Sequence, residues 1–195
     1  MNIVVVNSSS RVFVRPDTTW ERDNEDLYVP EFIGSLAWTP VIFAHISKPG
    51  RSIGARFGAR YYDLVGAGVQ LYPEDLMDGS AEGFACACCL DHSSFLPSPE
   101  LAREDYDSAL ESCGSPASLL RLTLDGKPLE FGCAGPVPCF PDAIALASRY
   151  CYLRTGDLLA IELSPPRTLC SRDDGSVHIE GCFNKRKTID FKLIF

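Results

Sequence analysis

Nine cysteines and three histidines are the side chains in this 195-residue chain best suited to nucleophilic, redox or metal chemistry. Three of the cysteines crowd into Cys86-x-Cys88-Cys89, yet no second CxxC and no HxxxH follows, so the spacing is not that of a zinc site. Along a strand Cys86 and Cys88 would share one face and Cys89 would take the other. As small hydrophobes, the thiols are expected in the core. His45 shares a strand face with Val41 and Phe43, which predicts a hydrogen-bonded core histidine. His92 lies between Asp91 and Ser93-Ser94, but adjacency in sequence is not a triad, which needs convergence in space. There is no GxSxG elbow, no phosphate loop ending in Lys-Ser/Thr, no HExxH and no EF-hand pattern. The pair Gly66-x-Gly68 lacks a third glycine and reads as a helix stop rather than a dinucleotide loop. Glu74, Asp75, Asp78 and Glu82 form an acidic stretch able to attract a hard cation, but without regular ligand spacing they read as a solvated loop. These residues alone specify no active site.

The rest of the chain must supply the frame. With 46% hydrophobic and 23% charged residues, it suits one globular domain and excludes a disordered chain. No apolar run approaches ~18 residues, so no membrane span is expected. The opening MNIVVVNSSS has no basic flank and a short apolar stretch, which reads as a first strand and not as an export signal. With an odd cysteine count this predicts a reduced, cytoplasmic protein without a disulfide framework. Eighteen basic against 26 acidic residues give a net charge of −8, and no basic stripe for nucleic acid is visible. The densest basic run, Lys185-Arg186-Lys187, falls where a solvated hairpin turn is expected.

Residues 8–28 read as loop around Val12-Phe13-Val14, and Trp38 to Ile46 as a buried strand in which Pro40 predicts an edge or a bulge. Ile53, Phe57, Tyr61, Leu64 and Val65 recur at helical spacing, which predicts a helix over 53–65 capped by Ser52 and stopped by Gly66-Ala67-Gly68. A short strand, Val69 to Tyr72, follows. Residues 97–118 read as a surface excursion with a short helix, and Leu119 to Leu124 as a strand before an Asp125-Gly126 turn. Pro141 opens a helix through about Cys151, and Leu158 to Leu163 is a strand. A last hairpin pairs Val177 to Phe183 with Thr188 to Phe195, whose Ile189, Phe191, Leu193 and Phe195 alternate inward. The fold class expected is mainly β with a few helices, α+β.

The run from Ser52 to Asp63, SIGARFGARYYD, with Gly68-Val69 and Asp75-Leu76, resembles the fumarylacetoacetate hydrolase family in its short bacterial form. Val12-Phe13-Val14-Arg15-Pro16 is similar to that family's Phe-x-Lys-Pro, and Val29-Pro30-Glu31-Phe32 stands at the right distance before its metal strand. Glu82-Gly83-Phe84, Phe95-Leu96-Pro97 and Leu153-Arg154-Thr155-Gly156-Asp157-Leu158-Leu159 are similar to three further stretches. The resemblance implies a single domain over 1–195, a mixed β-roll around a site. Residues 1–36 would be a shortened N-terminal segment and 37–195 the core. It also implies a homodimer. In the family, a Glu-x-Glu pair on one strand and an aspartate on the next hold Mg²⁺ or Ca²⁺. The metal polarises a β-dicarbonyl or 2-oxo acid, assisted by a lysine and, in many members, an N-terminal histidine.

This chain departs from the pattern at each of those places. The Glu-x-Glu register falls on Thr39 and Val41, the aspartate on Gln70, the lysine on Glu82 and an arginine on Glu74; the segment carrying the histidine is missing. No glutamate lies between Glu31 and Glu74, so a slip in register restores nothing. Thr39, Val41 and Gln70 are therefore expected to mark a former metal site that binds no Mg²⁺ or Ca²⁺, and Glu74 and Glu82 a former substrate cavity. The first expectation is a catalytically inactive protein of this fold that binds a small ligand or supports an intact relative in a heteromer. The second is an enzyme working without the metal, through His45, Glu82, Asp91 or a Cys86 or Cys88 thiol. The third is an unrelated β-rich interaction domain.

Overall fold

The computed structural model describes residues 1–99, 101–133 and 135–195. Its elements run β1 (Asn2–Val6), β2 (Val12–Pro16), β3 (Trp20–Glu21), β4 (Leu27–Tyr28), β5 (Ser35–Ile46), α1 (Ala55–Gly58), β6 (Tyr62–Pro73), α2 (Ala81–Ala87), β7 (Ser94–Phe95) and β8 (Leu101–Ala102). They continue through α3 (Arg103–Cys113), β9 (Leu120–Leu124), β10 (Lys127–Pro128), α4 (Phe140–Tyr150), β11 (Leu158–Glu162), β12 (Arg167–Ser171), β13 (Ser176–Phe183) and β14 (Arg186–Ile194). This is the expected mainly β, α+β architecture.

A nine-stranded mixed sheet is ordered β2-β1-β11-β5-β6-β7-β3, with β12 also paired to β5 and β8 to β6. A five-stranded sheet is ordered β10-β9-β13-β14-β4. The main core lies between them: Ile42, Val65, Val69 and Leu71 of the large sheet and Ile179, Phe191 and Leu193 of the small one join Ala143, Ile144 and Ala147 of α4 in one cluster. Phe95 and Phe191 stack across the gap. In β14 the expected alternation holds, with Ile189, Phe191 and Leu193 buried.

Several expectations need correction. The helix over 53–65 shrinks to α1, four residues capped by Gly54, because Tyr62 to Val65 begin the long strand β6 instead. Ser52 has φ 51°, outside helix geometry. Gly66 and Gly68 stop nothing: they lie mid-strand, where a Cβ on Gly66 would run into the Phe43 ring and one on Gly68 into the Phe95 carbonyl oxygen. Pro40 lies in a central strand, neither at an edge nor at a bulge. Its carbonyl accepts from Leu163 N at 3.0 Å, where β5 changes partner from β11 to β12, so its missing N–H faces the break between those strands. Residues 8–28 hold three short strands. Cys86 lies on a helix, and Cys86, Cys89 and Cys139 are exposed; Cys88 and Cys170 are the buried thiols. The excursion at 97–118 carries the eleven-residue α3, which buries Tyr106; its residue 100 lies outside the described residues.

Candidate functional site

Strand alternation fixes what the large sheet presents on one face. On β5, Thr39 and Val41 point the same way. Thr39 is directly opposite Gln70 of β6, and Val41 is opposite both Gly68 of β6 and Glu162 of β11. Tyr72, two residues beyond Gln70, shares this face. Through the β11–β1–β2 register (Leu158 with Ile3, Ile3 with Arg15), Arg15 does too. The fold thus brings together the three expected positions. It also adds three residues that the sequence reading did not single out as site residues: Arg15, Tyr72 and Glu162.

All six are buried; Glu162, the most accessible, is 4% exposed. The Tyr72 hydroxyl donates to Glu162 Oε1 at 2.5 Å. The Arg15 guanidinium lies 4.7 Å from the Tyr72 ring centroid, and its Nη2 donates to the Leu71 carbonyl at 3.0 Å and to Ser93 Oγ at 2.5 Å. Thr39 Oγ1 donates to the Ser164 carbonyl at 2.6 Å. Arg15 takes part in no ion pair among the described residues, and its Nε and Nη1, like Gln70 Nε2, have no partner. Helix α2 closes the face. Its Phe84 stacks on Tyr72 and meets Phe13 edge-on, while Ala87 and Cys88 join the buried cluster with Ala37 and Tyr72.

Burial pushes the Glu162 carboxyl up to about 7, against the pull of the Tyr72 hydrogen bond and the Arg15 charge. Burial and then the Glu162 charge hold the Tyr72 hydroxyl well above its ordinary value. Burial raises the Cys88 thiol to about 11, which leaves it neutral at physiological pH and a poor nucleophile.

These side chains do not fit a divalent cation. Val41 offers no donor atom, the Thr39 hydroxyl is engaged, and Gln70 is neutral. Glu162 is the one carboxylate in the cluster, and Arg15 already supplies a positive charge beside it. At an effective dielectric of ~20, a dication ~5 Å from that guanidinium would be repelled by about 7 kcal/mol. A hard-ion cage needs several oxygen ligands, and this face offers one carboxylate.

The other candidates lie elsewhere. His45, 31% exposed and not a core residue, bonds Asp63 Oδ1 at 2.8 Å; six residues separate it from Thr39, about 20 Å along a strand. Glu74 accepts from Thr168 Oγ1 at 2.5 Å beside β12, and Glu82 is exposed in the first turn of α2. Asp91, Cys86 and Cys89 line a separate apolar groove of about 680 Å³ with Tyr28 and Phe32. His92 bonds the buried Glu21 at 2.9 Å. His45, Glu82 and Asp91 therefore do not form one site. At the surface, His178, Glu180 and Asp190 bring three ligand atoms together, but Lys187 Nζ stands 2.7 Å from both carboxylates and takes the cation's place.

The missed residues left a signal. Arg15 and Glu162 are single charges inside otherwise apolar strands, VFVRP and LLAIE, and a charge there is buried with partners or is not in a strand.

No family model and no curated protein matches the chain. Solved structures do. A fumarylacetoacetate hydrolase family protein from Yersinia pestis CO92 superposes with a TM-score of 0.76 at 17% identity, over 99% of this chain and 92% of the other. The fumarylpyruvate hydrolase of Pseudomonas aeruginosa, solved with Mn²⁺ and pyruvate, gives 0.75 at 14% identity over 100% and 90%. A 5-carboxymethyl-2-hydroxymuconate delta-isomerase from Mycobacterium smegmatis gives 0.73 at 13% over 99% and 78%. This likeness sets aside a β-rich fold different from that family's. Two mixed sheets, in this order and over this whole length, give the chain the fold of the fumarylacetoacetate hydrolase family.

Proposed function

We propose that this protein is a non-catalytic bearer of the fold, one whose residues no longer fit the metal, and that it serves as a small-ligand binder or as the supporting subunit of an intact relative. The observation that carries the reading is the buried face itself. Thr39, Val41 and Gln70, where the resemblance puts the metal ligands, are buried on one sheet face with Arg15, Tyr72 and Glu162, and α2 packs on that face at Ala37 and Tyr72. A homodimer, or a heteromer with an intact relative, is the assembly we infer from the resemblance. Cytoplasmic residence suits the exposed thiols of Cys86, Cys89 and Cys139, which persist in a reducing compartment.

The test is turnover of acylpyruvate with added Mg²⁺ or Mn²⁺, with the Pseudomonas enzyme as positive control. We expect a rate no greater than in buffer; metal-dependent cleavage overturns the reading. One observation favours a second reading, metal-free acid–base chemistry: Glu162, raised to about 7, hydrogen-bonds Tyr72. It predicts activity without added metal that Glu162→Gln abolishes.

A further inference from the structure

The fold assembles a basic surface that the linear sequence hides. Residues 47–62 and 143–156 contain Lys48, Arg51, Arg56, Arg60, Arg149 and Arg154 and not one carboxylate. The two segments are laced together. Gly50 and Leu153 exchange both backbone hydrogen bonds at 2.9 Å, and Ser52 N donates to the Ser148 carbonyl at 2.8 Å. All six cations are exposed, and none takes part in an ion pair among the described residues. Three aromatic side chains stand among them in water: Tyr150 at 72%, Tyr152 at 53% and Phe57 at 38% exposure. Phe57 lies under both Arg56 and Arg60. Exposed carboxylates flank the two segments: Asp63 and Asp142 stand one residue outside them, and Glu104 pairs with Arg103, which bonds the Ala59 carbonyl.

We infer that this patch is a docking surface for an acidic face of another protein. The rest of the chain holds 12 basic against 26 acidic residues, so leaving six unpaired cations together in one place is a local exception to the molecule's charge. Arginine and tyrosine are the side chains that anchor protein interfaces, and exposed arginines pair with carboxylates in two-pronged geometry. A long polyanion is the poorer occupant. A nucleic acid strand extending past the patch meets the net negative remainder of the surface within a Debye length of ~8 Å, whereas a protein can confine its charge to the contact. This surface is separate from the buried face above, so either reading can fail without the other.

The probe is a fluorescein-labelled peptide of repeating Glu-Glu-Leu units, followed by anisotropy against salt. Binding is expected to weaken steeply with salt and at least about tenfold in Arg51→Glu/Arg149→Glu/Arg154→Glu. Tyr150→Ala/Tyr152→Ala should weaken it as well, and Lys127→Glu, away from the patch, should not. Thermal melts establish that each variant folds; Arg51→Gln/Arg154→Gln replaces the triple variant if it does not. Absence of peptide binding overturns the inference. So does tighter binding of labelled oligo-dT through the same arginines, which would mark a nucleic-acid surface. Self-association in sedimentation that the triple variant abolishes would assign the patch to a second copy and overturn it too.

Discussion

Glu162 is the residue whose titration reports on the buried face. Burial favours its protonated acid, so the folded protein holds that proton up to about 7 while the unfolded chain releases it near the ordinary 4.5. The group therefore stabilises the fold fully below the unfolded value, and its contribution drains away as pH rises through about 7. The amount is on the order of 3 kcal/mol. Urea denaturation of the wild type and of Glu162→Gln across pH 4 to 9 checks this. The variant should gain relative stability as pH rises, and a constant difference between the two contradicts the account. Arg15 pulls in the opposite direction, so Arg15→Met should move the Glu162 midpoint further up, as read by the same pH series. The Tyr72 bond ties both effects to one cluster, so the two substitutions should not be additive.

At the scale of elements, β6 approaches its neighbours too closely for any side chain at Gly66 or Gly68. Gly68→Ala places a methyl group against the Phe95 carbonyl, which cannot move without β7, and should cost about 1–3 kcal/mol or more in urea denaturation. Gly132→Ala, with open space around it, is the matched control and should be near neutral. Thiol titration reads α2 in the same way: Cys86 and Cys89 should react quickly, Cys139, whose thiol is raised by burial and bonds Asp142, more slowly, and Cys88 and Cys170 only on unfolding. Rapid reaction of Cys88 in the native protein would mean that α2 does not cover the site. These elements also show how far the sequence was legible. Strands with unambiguous alternation, such as β14, and the Pro141 helix start were readable because local signals and tertiary environment agree. The stretch 53–65 was not, because Ile53, Phe57, Tyr61 and Leu64 satisfy helical spacing while the long β5 partner draws Tyr62 to Val65 into a strand. Gly66 and Gly68 were misread for the same reason: their purpose is room for Phe43 and Phe95, neither of which is local in sequence.

At the scale of the molecule, the architecture is shared with solved structures at 13–17% identity, because alternation, turn chemistry and core volume can be met by many residue types. A metal site is less forgiving, since each ligand must be an oxygen donor of the right charge. The resemblance is enough to place Thr39, Val41 and Gln70 on one face, while Arg15, Tyr72 and Glu162 come to that face from β2, β6 and β11 and meet only in the folded sheet. The most direct measurement is anomalous scattering from crystals soaked in MnCl₂. The account predicts no manganese peak among Thr39, Val41, Gln70 and Glu162, with Arg15 and α2 still in place. An ordered manganese ion coordinated there would contradict it.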